Sequence, residues 1–373
     1  MANQTTHIVV IGAGIIGCSI AYHLSKQGAN VTLLDTQEPG QGTTAVSFSW
    51  LNGRDKNPRH YHDLNRRALD HWPRFARQLG AESALTWGGE LRWAATPEDA
   101  EEIVQRVRTL QSWGYPIYLR NADEVAQLEP QLTPGPVAVA SYTEIDGHVD
   151  TSAIIHACIK SLEQHNTTIY KTQVIGFVQA EHKIQSVITT AGEMACDTVV
   201  LAAGPDTAEL AHLAHVHVPL YDTFGCTIIT EPVPPIFQNV SVVHSPRDTP
   251  PQTNFRQLPN GMVMMHGGAH GRVFDGESLG HNDKEIQTVK DAVARYVPAL
   301  EGAPIREIRQ GRRPIPKDGH PILGFTKQVS NLYLSVMHSG VTLAPLIGET
   351  ASLEILEQTH IDYLEPYRLA RFE

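Results

Sequence analysis

Along the chain of 373 residues, short runs of apolar residues alternate with segments whose apolar positions recur at helical spacing. Near the start, residues 7–11 predict a buried parallel strand, residues 15–27 predict the following helix, and residues 31–35 predict a second strand. Helical spacing returns at residues 58–79 and 97–113. The chain therefore opens with a strand–helix–strand unit.

Strand-rich and helix-rich segments alternate over the rest of the chain. The further predicted elements are strands at residues 90–95, 137–142, 168–174, 197–201 and 331–336, and helices at residues 151–165 and 343–357. Strands with proline-rich connections fill residues 216–308. We therefore predict an α/β fold, in which a Rossmann-like nucleotide-binding domain is interleaved with an α+β domain built on a mixed antiparallel sheet.

Composition narrows the class of partner and the compartment. The formal net charge of −11 disfavours a nucleic-acid-binding surface, because neutralising phosphates needs clustered lysines and arginines. The four cysteines show no Cys-x-x-Cys spacing, which is typical of a reduced, intracellular protein. No signal segment precedes the first strand and no apolar run is long enough to cross a bilayer, so we expect a cytoplasmic protein without a membrane span.

A Gly-x-Gly-x-x-Gly motif joins the first predicted strand to its helix. Gly12 permits a tight turn, Gly14 lets the backbone approach a pyrophosphate, and Gly17 lets the helix pack on the strand. The pyrophosphate would lie at the helix N-terminus, where unpaired N–H groups favour an anion. Asp35 ends the second strand, where a carboxylate accepts hydrogen bonds from an adenosine ribose and disfavours the 2′-phosphate of NADP. In this context the motif indicates a dinucleotide site.

Three later segments are candidates for binding the same ligand. Residues 202–206 end a strand with small side chains, and residues 40–44 supply flexible backbone and hydroxyls after the second strand. Residues 339–342 precede the last helix, whose N-terminus can face an electron-rich ring. Taken alone, each segment is better explained as an ordinary turn. Their joint occurrence at predicted strand ends favours one shared ligand.

Two C-terminal motifs complete this order: Arg-Pro-x-x-Lys-Asp-Gly-x-Pro-x-x-Gly at residues 313–324, and His-Ser-Gly-Val-Thr-Leu-Ala-Pro at residues 338–345. Together with the first glycine motif, Asp35 and residues 40–45 and 199–204, they resemble the D-amino-acid oxidase superfamily, with the closest similarity to its glycine oxidase and sarcosine oxidase branch. The resemblance implies FAD bound in an extended form, with the isoalloxazine ring at the interface of the two domains.

The resemblance also divides the chain and assigns the cofactor site. It implies an FAD-binding domain at residues 1–85, 146–215 and 310–373, and a substrate-binding domain at residues 86–145 and 216–309. The expected cofactor-binding residues are Gly12, Ala13, Gly14, Ile15, Ile16, Gly17, Asp35, Thr36, Gly42, Thr43, Thr44, Val174, Ala203, Gly204, Ser339, Gly340, Val341 and Thr342. Relatives with covalent flavin carry a Cys near residues 311–314 or a His just after the second glycine motif. This chain has neither, so we expect noncovalent FAD.

Arg313 is the expected substrate ligand. In glycine oxidase-like relatives, an arginine immediately before the proline of this motif pairs with the substrate carboxylate. The residue type suits the role, because a guanidinium presents a planar fork that matches both carboxylate oxygens. Two alternatives are that Arg313 forms a structural ion pair, or that Arg312 is the ligand. Arg313 as the carboxylate ligand implies a substrate with a carboxylate next to an oxidisable C–N bond.

His338 is the candidate catalytic side chain, because it precedes the loop that should approach the flavin ring. Hydride transfer to flavin N5 needs a neutral amine with a correctly placed α-hydrogen, and no acid–base residue is strictly required. An equally good explanation is that His338 hydrogen-bonds backbone and positions the loop.

Two polar clusters have structural explanations. The closely spaced His212, His215 and His217 have neither cysteines nor a paired carboxylate at ligand spacing, so no metal site is expected. Asp150 follows His148 and is better explained as a helix N-cap than as an acid–base group.

The resemblance predicts an enzyme that oxidises the C–N bond of an amino acid or N-substituted amino acid to an imine, which water then hydrolyses. Oxygen or another acceptor would reoxidise the flavin. One alternative is a quinone- or partner-linked dehydrogenase of proline-like or secondary amines, and another is a non-catalytic flavin-carrying subunit of a hetero-oligomer. A homo-oligomer is also open.

Overall fold

The computed structural model describes residues 6–165, 167–247, 251–267 and 283–373. Within these ranges the strands, in chain order, are β1 (His7–Ile11), β2 (Asn30–Asp35), β3 (Trp50–Leu51), β4 (Leu85–Trp87), β5 (Glu90–Ala94), β6 (Ile117–Arg120), β7 (Val139–Thr143), β8 (Gly147–Val149), β9 (Thr167–Lys171), β10 (Val174–Ala180), β11 (Lys183–Thr189), β12 (Gly192–Ala195), β13 (Thr198–Leu201), β14 (Leu220–Thr230), β15 (Val242–His244), β16 (Thr253–Gln257), β17 (Val263–Gly267), β18 (Ile305–Pro316), β19 (Ile322–Phe325) and β20 (Leu332–Val336).

The α-helices of the same residues are α1 (Ile15–Lys26), α2 (Thr43–Val46), α3 (Arg59–Leu79), α4 (Pro97–Ser112), α5 (Ala122–Leu128), α6 (Thr151–Leu162), α7 (Thr207–Leu213), α8 (Asp283–Ala294) and α9 (Gly340–Glu357). Short 3₁₀ turns connect some of these elements. The predicted N-cap of α6 is present, because the Asp150 side chain accepts a hydrogen bond from the Ala153 N–H at 3.0 Å.

A six-stranded sheet with the order β19-β20-β13-β1-β2-β9 forms the predicted Rossmann-like part of the fold. Its neighbouring strands are parallel except for the antiparallel pair β19 and β20. The central strands are apolar and buried on both faces, as expected for a parallel sheet covered by helices. All of these strands direct their carboxyl ends to one edge, except β19, and that edge is where a ligand is expected.

Helices α1 and α9 pack against each other beside this sheet. The close approach depends on small residues: a Cβ on Gly348 would lie 2.1 Å from the Ser19 hydroxyl oxygen. That hydroxyl donates a hydrogen bond to the Ala344 carbonyl at 2.8 Å. Since α1 and α9 both begin at the carboxyl edge of the sheet, this contact places two helix N-termini side by side.

An eight-stranded mixed sheet with the order β18-β14-β17-β16-β15-β5-β7-β6 forms the second part. Its strands are antiparallel except for the parallel pair β15 and β5. A buried apolar cluster joins this sheet to α8. It contains Phe255 and Met265 from the sheet and Val289 and Val293 from the helix. The predicted combination of a Rossmann-like part and a mixed-sheet part is confirmed.

The region after β9 differs from the prediction. One strand was expected at residues 168–174, but β9 ends at Lys171, and β10, β11 and β12 form a separate antiparallel sheet. Glu181 and His182 make the first hairpin turn with φ values of 51° and 61°. A turn with two positive φ values usually carries Asn or Gly, so this hairpin gave no sequence signal.

The chain passes repeatedly between the two larger sheets, which makes both parts discontinuous in sequence. The expected boundary at residue 310 falls inside β18, which pairs with β14 along its length. We therefore propose that the boundary lies after Pro316. No helix among the described residues is long and apolar enough to cross a membrane.

Candidate active site

A cavity of about 1300 Å³ lies between the two larger sheets and is lined by residues of both. It extends from Gly12 and Asp35, at the carboxyl edge of the parallel sheet, to Arg92 and Arg313 on the mixed sheet. Ordinary small-molecule sites have volumes of about 300–1,000 Å³. The cavity is therefore large enough for a dinucleotide together with a second, small molecule.

The first glycine motif brings two strand ends and one helix together. Gly12 has a φ of +107°, and a Cβ there would lie 2.4 Å from the Ala202 carbonyl oxygen. A Cβ on Gly17 would lie 1.8 Å from the Gly12 carbonyl oxygen. Gly14 is the N-cap of α1 and lines the cavity, so the N-terminus of this helix faces the open space. The motif thus presents a helix N-terminus to the cavity, as the predicted pyrophosphate site requires.

Asp35 ends β2 beside that turn and lines the cavity. Its Oδ2 accepts a hydrogen bond from the Ala13 N–H at 2.7 Å, and its Oδ1 accepts one from the Gln37 N–H at 2.9 Å. These two bonds fix the carboxylate at the edge of the sheet, where it can accept hydrogen bonds from a ribose.

Most of the expected cofactor-binding residues line this one cavity. They are Gly12, Gly14, Ile15, Ile16, Asp35, Thr36, Gly42, Thr43, Thr44, Val174, Ala203, Gly204, Ser339, Gly340, Val341 and Thr342. Ala13 and Gly17 do not line it. Ala13 holds Asp35 through its N–H, and Gly17 provides the helix contact described above.

The second glycine segment joins the two parts of the site. The Thr44 hydroxyl oxygen accepts a hydrogen bond from the Ile15 N–H at 3.1 Å, which ties the segment to the start of α1. The Thr43 hydroxyl donates to the Arg312 carbonyl at 2.9 Å, which ties it to β18. Residues 42–44 therefore lie between the first glycine motif and the mixed sheet.

The C-terminal loop brings a second helix N-terminus to the cavity. Helix α9 begins at Gly340, before the predicted start at residue 343. The prediction missed this first turn because its sequence, Gly-Val-Thr, carries little apolar periodicity. Tyr61 donates its hydroxyl to the Ser339 hydroxyl oxygen at 2.8 Å, and the Thr342 hydroxyl donates to the Trp50 carbonyl at 3.2 Å. His338 is exposed and lines the cavity next to this loop.

The two candidate arginines have different surroundings. Arg313 lines the cavity, and its guanidinium lies over Gly225, where a Cβ would be 2.4 Å from Nε. Its Nη2 donates to His266 Nε2 at 2.6 Å, and burial lowers the pKa of the guanidinium. Arg312 does not line the cavity. Its guanidinium pairs with Asp206 at 2.8 Å and Asp222 at 3.1 Å.

A row of polar side chains that the sequence analysis missed crosses the mixed sheet beside Arg313. His266 pairs in register with Asn254, Asn254 pairs with His244, and His244 pairs with Arg92. Directly paired residues point to the same face of a sheet, and all four line the cavity. The four residues come from four different strands, so no local pattern in the sequence relates them.

At the Arg92 end of this row, the lining residues Arg92 and Asp55 belong to a charged cluster that continues below the cavity surface. Arg54 and Glu90 are almost fully buried and pair at 2.6 Å. Arg92 bonds Glu90 at 3.2 Å and Asp55 at 2.7 Å. The two guanidiniums hold the pKa of the Asp55 carboxyl well below its usual range, despite the opposing effect of burial. Asp55 is therefore ionised at neutral pH.

Comparison with known proteins places the chain in a family. The family model DAO, described as FAD dependent oxidoreductase, matches residues 7–352. This chain belongs to that family. The resemblance found from the motifs is thereby confirmed, and FAD is the cofactor of the family.

Two curated relatives match over nearly their whole length. Glycine oxidase of Geobacillus kaustophilus is 25% identical over 376 residues, which cover 98% of this chain and 96% of the relative. One of the subunits of the opine oxidase of Agrobacterium tumefaciens is 25% identical over 390 residues, which cover 98% and 97%. The solved structure of L-proline dehydrogenase from P. horikoshii has the same fold, with a TM-score of 0.87, 22% identity and 99% coverage of both chains.

The cavity of this FAD-dependent oxidoreductase fits a large polar ligand. Asn52 Oδ1, Trp50 Nε1 and Ser335 Oγ are buried, belong to residues that line the cavity, and have no hydrogen-bond partner among the described residues. Buried polar atoms normally have partners, so such atoms are suited to a ligand with many donors and acceptors. The two helix N-termini and Asp35 add the groups that a dinucleotide needs.

Metal sites and reactive cysteines are two other kinds of catalytic centre that an oxidoreductase can use. Among the described residues, no group of three or more His, Cys, Asp and Glu side chains is arranged to hold a metal ion. The four cysteines are unpaired, and burial raises the pKa of Cys18 to about 12. That thiol is therefore neutral and unreactive at physiological pH.

Proposed function

We propose that this enzyme oxidises the C–N bond of an amino acid or N-substituted amino acid to an imine, which water then hydrolyses to an oxo acid and ammonia or an amine. The observation that carries the proposal is the position of Arg313, which lines the cavity and lies against Gly225 and His266. Apart from its bond to His266, the guanidinium has no partner among the described residues. It is therefore available to a substrate carboxylate.

We propose that FAD binds noncovalently along the cavity. Its pyrophosphate would lie at the N-terminus of α1 beside Gly12 and Gly14, and its adenosine ribose beside Asp35. Its isoalloxazine would lie between the Ser339–Gly340 loop and the mixed sheet, where the N-terminus of α9 favours negative charge on the ring. Residues 43–47 and 311–314 contain neither Cys nor His, the residues that link flavin in covalent relatives.

Bound FAD supplies a hydride acceptor, and the side chains of the cavity bind and orient the substrate. A guanidinium can only donate hydrogen bonds, so His266 Nε2 must accept the bond from Arg313 and the imidazole must be neutral. Arg313 then carries the positive charge at that end of the row, and a bidentate carboxylate would fix the position of the α-carbon. A fixed α-hydrogen close to the ring is the main requirement of this chemistry.

His338 keeps two possible roles within this proposal. It lines the cavity beside the α9 N-terminus, where a neutral imidazole can take a proton from the substrate ammonium. It can equally position the Ser339 loop. A pH profile of kcat/KM for the His338→Asn variant distinguishes these roles. Without a proton acceptor only the neutral amine reacts, so the acidic limb should move to higher pH, towards the pKa of the substrate amine, whereas loss of a positioning bond lowers the whole profile.

The proposal is tested by steady-state oxidation of a panel of glycine, N-methylglycine, proline and D- and L-amino acids, with detection of the oxo acid. At least one carboxylated amine should give an oxo acid, and substitution of its α-hydrogen by deuterium should slow the reaction. The same amine without its carboxylate should react poorly. Equal rates with and without the carboxylate would contradict the role of Arg313.

One relative gives a reason to test assembly as well. The opine oxidase relative is named as one subunit of its enzyme, so this chain could be the flavin-carrying part of a hetero-oligomer. A protein that holds FAD but oxidises no amine until a second protein is added would support that alternative. Oxidation by the isolated chain, with oxygen or a quinone as acceptor, would support the first proposal.

A further inference from the structure

Arg256, on β16, is a buried cation without a carboxylate partner among the described residues. It is 2% exposed. Its Nε donates to the Phe48 carbonyl at 2.8 Å, and its Nη2 donates to the Met264 sulfur at 3.3 Å. Its Nη1 is buried and has no hydrogen-bond partner within the described part of the chain. An unpaired ion is costly to remove from water, so a buried charge of this kind is unusual.

The ionisable groups around Arg256 leave its charge in place. Burial lowers the pKa of the guanidinium to about 9, so Arg256 stays protonated at neutral pH. Asp150 is the acid whose field opposes this change, and its carboxylate is exposed and caps α6. Arg309 adds a second positive charge, which pairs with Glu307 at 2.8 Å. Burial and the charge of Arg256 lower the pKa of His148, so that imidazole is neutral and supplies no counter-charge.

Phe48 forms the cavity wall next to Arg256. The guanidinium carbon lies 5.4 Å from the centroid of the Phe48 ring, and Phe48 lines the cavity whereas Arg256 does not. Asn254 lies two residues before Arg256 on the same strand and also lines the cavity, so both side chains point to the same face of the sheet. A ligand packed against Phe48 adds about 4 Å to that distance, which places it roughly 10 Å from the charge.

The segment that contains Phe48 also reaches the N-terminus of the last helix. The carbonyls of residues 48, 49 and 50 accept hydrogen bonds in turn from Arg256, from the Val149 N–H at 3.1 Å and from the Thr342 hydroxyl at 3.2 Å. All three residues of the segment line the cavity, and Thr342 lies in the first turn of α9. Arg256 therefore lies behind the same wall that contacts the α9 N-terminus, where we place the isoalloxazine.

We propose that Arg256 is a buried counter-charge for reduced FAD and raises the reduction potential of the bound flavin. Hydride transfer from the substrate carbon brings two electrons and one proton to flavin N5, so the neutral ring becomes an anion. The charge of Arg256 stabilises that anion across Phe48 without touching the ring, and it adds to the positive end of α9. The inference rests on the position proposed above for the isoalloxazine, and it is independent of which amine is the substrate.

Reduction potentials of the FAD-loaded enzyme without substrate, measured against a reference dye, test this inference. A unit charge about 10 Å away, at an effective dielectric constant of about 20, changes an equilibrium constant about tenfold. Arg256→Gln keeps an N–H donor for the Phe48 carbonyl and removes the charge. Its equilibrium constant for flavin reduction should therefore fall about tenfold, which lowers a two-electron potential by about 30 mV. Arg256→Lys keeps the charge and should recover most of the wild-type potential.

Arg309→Gln is the matched control. Arg309 Nη1 donates to the Ala45 carbonyl at 3.1 Å, so this arginine also holds the backbone just before Phe48. Its side chain is one-third exposed and pairs with Glu307, so water screens its charge far more than that of Arg256. The control removes a similar backbone bond with a smaller change in the field, and it should keep a potential close to that of the wild type.

Equal potentials of wild type and Arg256→Gln, at normal flavin content, would overturn the inference. Equal shifts in Arg256→Gln and Arg309→Gln would also overturn it, because they would indicate a structural effect on residues 45–50. An unchanged potential with weaker carboxylate binding in Arg256→Gln would assign the charge to the substrate instead and refute the role in flavin reduction.

The wild-type protein provides a further test that needs no variant. On photoreduction, the one-electron-reduced flavin should show the red absorbance of the anion, because the site favours negative charge on the ring. The blue absorbance of the neutral form would contradict the inference. None of these measurements uses an amine, so failure to oxidise any amine would refute the proposed function and leave the role of Arg256 standing.

Discussion

Replacement of Arg313 by Met should reduce kcat/KM for a carboxylated amine about a hundredfold. The guanidinium has five N–H donors, and one of them, on Nη2, is bonded to His266. A bidentate carboxylate would take two more. Hydrogen bonds to charged groups contribute about 1.5–3 kcal/mol each, and because the cavity admits water to the substituted site we take the lower value. Two bonds then contribute about 3 kcal/mol, which is roughly a hundredfold.

Two further variants make this measurement specific. Arg313→Lys keeps the charge but loses the planar fork, so it should recover only part of the loss. Arg312→Met removes the same charge from the preceding residue, which does not line the cavity and pairs with Asp206 and Asp222. Because such half-exposed pairs contribute about 0–1 kcal/mol, that variant should change kcat/KM by no more than about fivefold.

The assay compares kcat/KM for one carboxylated amine with kcat/KM for the same amine lacking the carboxylate. Arg313→Met should lower the first value and leave the ratio of the two near one. If Arg313→Met and Arg312→Met change this ratio equally, or if neither changes it, the assignment of Arg313 as the carboxylate ligand is refuted.

Three other substitutions have defined outcomes. Burial raises the pKa of Asp146 to about 8, so the folded chain keeps a proton that the unfolded chain releases, and the free energy of unfolding should fall as pH rises from about 4 to about 8. In denaturant unfolding, Asp146→Asn should remove this slope, which is up to about 1.4 kcal/mol per pH unit. An unchanged slope would exclude Asp146 as its origin. Gly17→Ala should lower the free energy of unfolding by several kcal/mol because its Cβ would lie 1.8 Å from the Gly12 carbonyl oxygen, whereas Gly42→Ala, with open space around it, should change it by less than about 0.5 kcal/mol. Asp35→Ala should weaken FAD binding about tenfold in a flavin-release titration, and undiminished affinity would remove the proposed ribose contact.

The convergence of the expected cofactor-binding residues on one cavity was predictable because their motifs are local in sequence. Gly12, Gly14 and Gly17 lie within six residues, and the φ of +107° at Gly12 is a conformation that strongly favours glycine. Residues 202–204 and 339–342 follow buried strands, and the carboxyl ends of parallel strands share one edge of the sheet. Their position at one edge of the sheet therefore follows from their place after parallel strands.

The substrate half could not be predicted in the same way. His244, Asn254 and His266 become neighbours through antiparallel pairing, which is set by the packing of the whole mixed sheet. Arg92, which pairs with Asp55 at the end of this row, lies on a strand contributed from much earlier in the chain. A single motif indicated Arg313 as the expected ligand, and its environment required the three-dimensional structure.

Anaerobic titration of the FAD-loaded protein with a carboxylated amine tests the proposed chemistry most directly. The bound flavin should lose its visible absorbance with one equivalent of the amine, and one equivalent of oxo acid should form after hydrolysis of the imine. Absence of bleaching across the amine panel, or bleaching without cleavage of the C–N bond, would contradict the proposed oxidation.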